Sequence, residues 1–330
     1  MEPSELDNIN DTNYSSPQRE KWCGHIILYK FQGFWFTETY LETTKKVLET
    51  FKPLPGDVIL ASFPKTGTTW LKAILHSIIH HSRQHENHPL TLNHPQDLVP
   101  SLETNLYVEN GPELDGGNEN PEFLAVEDLQ EARILATHIP YQILGDILNS
   151  TDCKVVYVTR NPKDTVVSLW HFLQKSSDVE KDQWAVEAAV DQFCRGVVPF
   201  GPYYDHVLAY RQESLNRPEK VYFLTYEELK QKSKDHVRKL GEFLGFPFDE
   251  SEKGEEKIDE IVKMCSFESL SSQQVNKSDD NPSVFPLPYS SFFRKGEVGD
   301  YKNYLEDEMI AKIDAVTEEK FHACGFMYGI

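Results

Sequence analysis

Residues 60–72 read LASFPKTGTTWLK and bring a lysine, a glycine and two threonines together between an apolar run and helix-forming sequence. A loop that leaves a strand and opens a helix directs backbone N–H groups at one point, where the helix dipole also favours an anion. Gly67 allows close approach to the backbone, Thr68 and Thr69 add hydroxyl donors, and Lys65 adds a positive charge. These residue types suit the binding of a phosphate or a sulfate group.

The same segment does not match the P-loop of nucleotide kinases and GTPases. That motif, GxxxxGK[ST], places its lysine directly after its second glycine, whereas Lys65 precedes Gly67 and no earlier glycine opens this loop. From these residues alone, two other interpretations stay open. One is an ordinary capped helix after a turn, and the other is a P-loop-like nucleotide kinase that departs from the motif.

Three further places combine polar residues with the ends of apolar runs or with turns. His138 follows the run RILA, and a neutral imidazole there can accept the proton of an attacking hydroxyl group. Arg160 can offer a bidentate fork to a phosphate, with the Ser168 hydroxyl two turns along the next helix. Arg294 and Lys295 add two positive charges. Each of these is also a common structural feature, so the residues alone leave both interpretations open.

The elements that must position these residues are four short runs rich in β-branched residues. They are DVILA (57–61), RILA (133–136), KVVYVT (154–159) and KVYFLT (220–225). Continuous apolar runs are typical of strands covered on both faces in a parallel sheet. Helix-forming sequence follows three of the runs, at 69–81, 164–174 and 233–244. This alternation predicts a single-domain α/β fold with a parallel β-sheet flanked by helices, in which ligands bind beyond the carboxyl ends of the strands.

The length of 330 residues suits one large α/β domain or two small ones. Residues 1–20 are acidic and polar, so we expect a disordered tail there and a single domain over residues 21–330. Residues 271–291 form a long connection without clear periodicity, which is typical of a functional or a disordered loop.

The composition excludes several classes of partner. Lys and Arg total 33 against 53 Asp and Glu, and a net charge of −20 repels nucleic acid and anionic membranes. The five cysteines form no CxxC pair, so neither a disulfide framework nor a zinc site is predicted. The N-terminal residues have no apolar secretory segment, and no run is long enough to span a membrane. We expect a reduced, cytoplasmic protein with neither a nucleic-acid nor a membrane partner.

A histidine cluster, HSIIHHSRQHENH at residues 76–88, contains two pairs at helical spacing. The pairs are His76 with His80 and His81 with His85, which is compatible with metal binding. However, the sequence has no HExxH motif and offers no convergent third ligand. A solvated helix end is therefore the favoured interpretation, and no metal is predicted.

Five segments, taken together, resemble the cytosolic sulfotransferases, whose sulfuryl donor is 3′-phosphoadenosine 5′-phosphosulfate (PAPS). They occur in the family's order along the chain: FPKTGTTWLK (63–72), ATHIP (136–140), RNPKDTVVSLWHF (160–172), LTYEEL (224–229) and FFRKGEVGDYKN (292–303). The wording of FQGFW, CSFESL and FFRKGEVGD is most similar to the plant branch of the family.

The resemblance implies transfer of the sulfuryl group of PAPS, in line, to a hydroxyl group of a small apolar acceptor, with PAP as the product and no metal required. The acceptor could be phenolic, flavonoid, steroid or jasmonate-like. The resemblance also implies that His138 is the catalytic base and that Lys65 stabilises the leaving phosphate. The residues that it implies for donor binding are Lys65, Thr66, Gly67, Thr68, Thr69, Trp70, Arg160, Ser168, Tyr226, Cys265, Phe267, Arg294, Lys295 and Gly296. Among them, Trp70, Tyr226 and Phe267 would contact the adenine.

Apolar pockets for small molecules are lined by aromatic side chains. The aromatic residues predicted to line the acceptor pocket, each of which could equally belong to the core, are Trp35, Tyr141, Phe172, Phe285 and Tyr289.

Two positions depart from the family pattern. Ala136 stands where many animal members have a lysine, which leaves more of the charge stabilisation to Lys65. Cys265 replaces a small hydroxyl residue and is a weaker donor.

A catalytically inactive member that only binds PAPS or PAP is an alternative, although the presence of both Lys65 and His138 argues against it. The dimer motif of animal relatives is absent near residues 302–309, so the oligomeric state stays open.

Overall fold

The computed structural model describes residues 18–82, 88–106, 132–175, 184–278 and 287–330. Seven strands lie in these ranges: β1 (Arg19–Trp22), β2 (Ile26–Phe31), β3 (Phe34–Phe36), β4 (Val58–Ser62), β5 (Ile134–Thr137), β6 (Lys154–Thr159) and β7 (Val221–Thr225). The first three form a small antiparallel sheet in the order β1-β2-β3, and the other four form a parallel sheet in the order β5-β4-β6-β7.

Helices flank the parallel sheet and connect its strands. Those before β6 are α1 (Glu38–Thr50), α2 (Thr68–Ile79), α3 (Pro89–Leu92), α4 (Pro95–Leu98) and α5 (Tyr141–Asn149). Those after β6 are α6 (Pro162–Lys175), α7 (Val186–Cys194), α8 (Tyr203–Asn216), α9 (Tyr226–Gln231), α10 (Ser233–Leu244), α11 (Glu252–Met264), α12 (Phe267–Ser272), α13 (Gln274–Lys277) and α14 (Asp307–Lys320). A π-helical turn occupies Leu102–Leu106, and 3-10 turns occupy Tyr289–Phe292, Asp300–Asn303 and His322–Cys324.

The predicted fold class is confirmed. Each of the four predicted strands is present, shifted by at most one residue at either end, and the run 154–159 and the helix 233–244 match in both bounds. The helix predicted at 69–81 is α2, which begins one residue earlier and ends at Ile79. The helix predicted at 164–174 begins at Pro162, a residue whose fixed φ and missing N–H suit the first position of a helix.

The parallel sheet is buried on both faces, as the continuous apolar runs predict. Alternate residues of a strand point to opposite faces. Val58 and Leu60 of β4 pack with side chains of α2 and α10, whereas Ile59 and Ala61 of the same strand join the core formed with α5, α6 and α8. Because β4 is an inner strand of this sheet, the loop that follows Ser62 begins at the carboxyl edge between β5 and β6.

The small antiparallel sheet and α1 were not predicted. The strands of this sheet are short, and β1 and β2 are only partly buried, whereas β3 is buried throughout. The tail predicted at 1–20 lies mostly outside the described residues, but its last two residues, Arg19 and Glu20, belong to β1. The connection 271–291 contains α13 and a 3-10 turn at Tyr289–Phe292, and residues 279–286 lie outside the described residues. Within the described ranges, no helix is long and apolar enough to cross a membrane.

Candidate active site

The predicted residues meet at the carboxyl edge of the parallel sheet. Because parallel strands end at the same edge, the residues that follow β4, β5, β6 and β7 come close together. His138 directly follows β5, Arg160 follows β6 and Tyr226 follows β7. All three line one cavity of about 370 Å³, together with Lys65 and Gly67 from the loop after β4.

The loop between β4 and α2 takes a backbone path that favours an anion. Lys65 and Gly67 have left-handed φ angles of 68° and 121°. The Thr66 hydroxyl lies 2.7 Å from the carbonyl oxygen of Phe63 and 3.0 Å from that of Val158, so this side chain holds the loop against β6 rather than facing the cavity. Gly67 precedes α2 and supplies no side-chain cap, which leaves N–H groups of the first helical turn available to a ligand.

Two threonines begin α2 at this point, and both line the cavity. The hydroxyl of Thr68 lies 2.7 Å from that of Ser62, and the hydroxyl of Thr69 accepts a hydrogen bond from Nε2 of Gln96 at 3.1 Å. Each hydroxyl therefore has a fixed orientation at the mouth of the loop. The arrangement is that of a cradle for a tetrahedral anion.

Lys65 lies between this cradle and the aromatic part of the cavity. Its ammonium lies 3.8 Å from the ring centroid of Phe172 and 5.6 Å from that of Phe292. Burial, and then the positive charges of Arg294, Lys175 and Arg160, lower the pKa of Lys65 to about 7. An anion that binds beside a lysine in such surroundings stabilises its charged form and raises its pKa.

The tautomer of His138 follows from its contacts. Nδ1 lies 2.7 Å from the carbonyl oxygen of Ser62, which can only accept, so Nδ1 carries the proton and Nε2 has the free lone pair. Burial is the main cause that lowers the pKa of His138 to about 3, so the ring is neutral at physiological pH. The Ser62 carbonyl opposes that shift, because it stabilises the protonated ring. This geometry suits a general base that works through Nε2.

A second group of cations surrounds a different part of the cavity. Nε of Arg160 is buried and has no hydrogen-bond partner among the described residues, while its NH2 donates to the carbonyl oxygen of Glu297 at 2.6 Å. Arg294 and Lys295 both bind Asp300, at 2.5 Å and 2.7 Å. Ser168 also lines the cavity here. An orphaned, buried guanidinium nitrogen beside two further cations fits a second phosphate group.

Two aspartates orient these cations. Asp164, in the first turn of α6, accepts hydrogen bonds from the backbone N–H groups of Gly299 and Tyr301 at 2.7 Å and 3.0 Å. Asp300 is buried, which raises its pKa, but hydrogen bonds from Lys295, Asn303 and Arg294 lower the value to about 2. The segment that contains Gly299 and Tyr301 is thereby fastened to α6.

Aromatic rings form a slot beside the second phosphate position. The rings of Trp70 and Tyr226 lie edge to face with centroids 5.3 Å apart, and Arg160 lies 4.7 Å from the Tyr226 centroid. Phe267 lines the same region and packs closely on Gly296, where an added Cβ would lie 2.4 Å from Cδ2 of Phe267. The slot suits a flat heterocycle, and Gly296 is required for its shape.

Comparison with known proteins identifies the family. Residues 55–325 match the model of the sulfotransferase domain. The chain belongs to the sulfotransferase family. It is 41% identical to cytosolic sulfotransferase 5 of Arabidopsis thaliana, with 95% of this chain and 94% of the relative covered, and 39% identical to flavonol 4′-sulfotransferase of Flaveria chlorifolia, with 92% and 91% covered.

A crystal structure of a mouse sulfotransferase complexed with PAP has the same fold, with a TM-score of 0.67, 26% identity and coverage of 89% of this chain and 94% of that one. The resemblance to the plant branch of the family is confirmed by the Arabidopsis and Flaveria relatives. The protein is a sulfotransferase enzyme, as the sequence motifs predict.

In this sulfotransferase, two predicted donor residues have other roles for their side chains. Cys265 does not line the cavity, because it is buried with Sγ 3.6 Å from the hydroxyl of Ser77. The neighbouring Ser266 lines it instead and caps α12 through the N–H of Ser269. Thr66 faces the sheet, as described above, so only its backbone can contribute. The other predicted donor residues line the cavity: Lys65, Gly67, Thr68, Thr69, Trp70, Arg160, Ser168, Tyr226, Phe267, Arg294, Lys295 and Gly296.

Of the predicted acceptor residues, Phe172 lines the cavity and Phe285 lies outside the described residues. The other three are placed elsewhere. Trp35 belongs to the core, and Tyr141 binds Asn149 and Arg217 through its hydroxyl. The Tyr289 ring packs at a tilt against His94, and its hydroxyl donates to Asp97. The structure therefore does not place these three side chains in the cavity, because the two hydroxyl groups are hydrogen-bonded elsewhere and the Trp35 indole is packed in the core.

The sequence analysis missed three aromatic residues of the wall, which are Tyr40, Phe200 and Phe292. Tyr40 from α1 and Phe200 line the cavity, and the Phe200 ring lies 5.5 Å from that of His138. Phe200 has a left-handed φ of 63° and is flanked by Pro199 and Gly201. An aromatic residue in a Pro-Phe-Gly-Pro loop was a signal that could have been used, because such a loop places its side chain rigidly.

The histidine cluster holds no metal site within the described residues, where no group of three or more His, Cys, Asp or Glu side chains converges. His76 and His80 stack with their ring centroids 4.3 Å apart on α2 and its C-cap. His85 lies outside the described residues.

Proposed function

We propose that the protein transfers the sulfuryl group of PAPS to a hydroxyl group of a small, largely apolar acceptor. His138 acts as the general base and Lys65 stabilises the charge that develops on the leaving phosphate. The observation that carries the proposal is the hydrogen bond from Nδ1 of His138 to the Ser62 carbonyl, because it leaves Nε2 as a proton acceptor in the same cavity as Lys65. PAP, the product that remains when PAPS loses its sulfuryl group, is bound by a related mouse sulfotransferase.

The residues present fit PAPS. The uncapped start of α2, with Thr68 and Thr69, would hold the 5′-phosphosulfate, and Lys65 would lie beside it. The orphaned Nε of Arg160, with Ser168, Arg294 and Lys295, would hold the 3′-phosphate. The slot between Trp70, Tyr226 and Phe267 would hold the adenine. When bound, PAPS supplies the activated sulfuryl group.

The chain's own residues then have separate tasks. His138 removes the proton of the acceptor hydroxyl at Nε2, and the Ser62 carbonyl stabilises the imidazolium that results. Lys65 and the N-terminus of α2 provide positive potential where the leaving oxygen gains charge. No metal is required for either task, since these groups occupy the place that a cation has in phosphoryl transfer.

The acceptor half of the cavity supports a flat or apolar acceptor. Its walls are the rings of Tyr40, Phe172, Phe200 and Phe292. One relative carries the name flavonol 4′-sulfotransferase, which favours phenolic and flavonoid acceptors over steroids and jasmonate-like alcohols as the first to test. We further propose a cytoplasmic location, because two relatives that are 41% and 39% identical are named cytosolic, and a single domain over residues 21–330.

The test is a screen of hydroxylated acceptors with sulfur-labelled PAPS. We expect label transfer to at least one phenolic acceptor by the wild-type protein, its loss in Lys65→Met and its slowing in His138→Ala. Binding of PAP without transfer to any acceptor would instead support the inactive, nucleotide-binding alternative.

A further inference from the structure

Glu103 is a buried acid that neither the motifs nor the donor site accounts for. It lies in the π-helical turn Leu102–Leu106 and has no exposed surface. Its Oε1 accepts the backbone N–H of His138 at 2.6 Å, and its Oε2 accepts the hydroxyl proton of Thr137 at 2.9 Å. Both partners lie at the end of β5. A π-helical turn is rare and occurs frequently at functional sites.

The carboxylate is matched to donors. Besides His138 and Thr137, its own backbone N–H interacts with it, so three groups donate. Burial raises the pKa of Glu103, while these donors and the charge of Lys72 oppose that rise. Lys72 is itself fully buried and bonds to Gln96 and, at 2.9 Å, to the hydroxyl of Ser101. Burial outweighs these groups, so the pKa of Glu103 is raised overall, although each of them favours the charged form.

His138 is held at three backbone and ring atoms by neighbouring elements. Glu103 binds its N–H, Nε2 of His206 lies 2.9 Å from its carbonyl oxygen, and the Ser62 carbonyl binds Nδ1. The hydroxyl of Thr137 also accepts the N–H of Ile139 at 3.0 Å, so Glu103 orients the backbone on both sides of His138. The peptide plane of His138 determines where its Nε2 points.

A buried carboxylate is not by itself expected to increase the stability of the fold, since an apolar side chain of similar shape often gives the same or a higher stability. Its distinctive property here is that both oxygens accept from consecutive residues of one strand end. We propose that Glu103 is a positioning residue: it fixes the backbone of His138 so that Nε2 reaches the proton of the acceptor hydroxyl. This inference rests on the proposed role of His138 as general base.

The test is Glu103→Gln, in which one carboxylate oxygen becomes an NH₂ group that must face a donor. We expect kcat to fall on the order of ten- to a hundredfold with a phenol of high pKa, because a small displacement of a catalytic group costs that much. The decrease should shrink with an acidic phenol, which needs less help from a base. The affinity for PAP, measured by calorimetry, should stay within about twofold of wild type. The reason is that Thr137 and His138, to which Glu103 is hydrogen-bonded, are not among the residues proposed to hold PAPS.

A matched control is Asp57→Asn at the opposite end of the sheet. Asp57 is also buried, accepts the backbone N–H of Leu54 at 2.7 Å and pairs with Arg133. It lies before β4 rather than after it, so the variant removes a buried acid without touching His138. We expect a lower melting temperature for this variant but no dependence of its kcat on acceptor pKa beyond that of wild type.

The double variant separates positioning from general damage. In the His138→Ala background, Glu103→Gln should change kcat by less than about twofold, because the two residues act as one unit. An equal fold-decrease in both backgrounds, a parallel loss of PAP affinity or a wild-type kcat would overturn the proposal. If His138→Ala itself kept full activity, the general-base assignment would fail, and that outcome differs from a silent Glu103→Gln.

A second variant covers the case in which Glu103→Gln does not fold. Thr137→Val removes the other donor to Glu103 and keeps the volume of the side chain. We expect a decrease in kcat of about twofold to tenfold that depends on acceptor pKa in the same direction. An unchanged rate for this variant would also contradict the proposal.

Discussion

Gly67 and Tyr226 face each other across the carboxyl edge of the sheet, and a Cβ atom on Gly67 would lie 3.0 Å from Cδ2 of Tyr226. Gly67 also has a φ of +121°, which side-chain-bearing residues rarely adopt. The loop before α2 and the Tyr226 ring are therefore packed together, and a Cβ atom at Gly67 would require the ring to shift by a few tenths of an ångström.

Gly67→Ala should destabilise the protein by about 1–3 kcal/mol through backbone strain and should also weaken PAP binding at least tenfold. Gly56→Ala is the matched control, because its φ of +87° imposes similar strain while no atom lies within 4 Å of an added Cβ. Thermal unfolding and calorimetry with PAP measure the two effects. An equal loss of PAP affinity in both variants would mean that the Tyr226 contact is irrelevant to the donor site.

Lys65 provides a test by proton uptake. Its pKa is lowered to about 7 in the free protein, and an anion beside it raises that pKa. Binding of PAP at pH 8 should therefore take up a fraction of a proton, and this contribution to the affinity should decrease as the pH rises from 7. Below pH 7 the lysine is already charged, so the contribution is constant there.

The measurement is calorimetry at pH 8 in buffers of different ionisation enthalpy. Lys65→Arg is the control, since a guanidinium stays protonated at this pH and PAP's own phosphate titrates identically with both proteins. Uptake of the same fraction of a proton by the wild type and by Lys65→Arg would contradict the prediction.

The cation group around Arg160 should recognise the 3′-phosphate. Arg294→Ala should weaken PAP binding by about 2 kcal/mol or more, because it leaves ligand charge without its partner, while the affinity for 5′-AMP stays nearly constant. Lys312→Ala, which removes an exposed cation paired with Asp191, should leave both affinities unchanged. If PAP and 5′-AMP bind the wild-type protein equally well, these cations do not recognise the 3′-phosphate.

His138→Ala should slow transfer to an aliphatic alcohol by about 10²–10⁴-fold and transfer to a nitrophenol with a pKa near 7 distinctly less. The reason is that the nitrophenol is partly ionised before it attacks. The measurement is kcat/KM across a series of phenols for the wild type and the variant. Parallel Brønsted plots would show that the ring only maintains the shape of the site.

Chelation should not affect turnover. Lys65 and the N-terminus of α2 supply the positive potential that a metal ion supplies in kinases, so excess EDTA should leave the rate within experimental error. A loss that returns on addition of a divalent cation would require a different mechanism.

The loop between β4 and α2, which we propose holds the 5′-phosphosulfate, could be predicted from the sequence because its residues are local. Lys65, Gly67, Thr68 and Thr69 lie on one strand-loop-helix unit, and the apolar run before them identifies the buried strand. The error at Cys265 is a matter of one residue. Since α12 begins at Phe267, its N-cap Ser266 faces the cavity and the residue before it turns into the core.

The acceptor half could not be predicted in the same way. Tyr40 and Phe200 lie 160 positions apart in the chain, yet their ring centroids are 5.1 Å apart. Glu103 lies 35 positions before His138 in the chain, in a π-helical turn that no sequence pattern predicts. Contacts of this kind depend on packing rather than on periodicity.

The small antiparallel sheet has a bearing on how acceptor preference could change. Trp35 of β3 exchanges two backbone hydrogen bonds with the loop that carries Phe200: Phe200 donates to the Trp35 carbonyl at 2.6 Å, and Trp35 donates to the Gly201 carbonyl at 2.9 Å. The part of the cavity wall that Phe200 forms is thus anchored to a separate sheet, whereas Lys65, His138, Arg160 and Tyr226 follow the parallel strands. If the cavity beside Phe200 holds the acceptor, as we propose, substitutions around Trp35 should alter the choice of acceptor and leave PAPS binding unchanged.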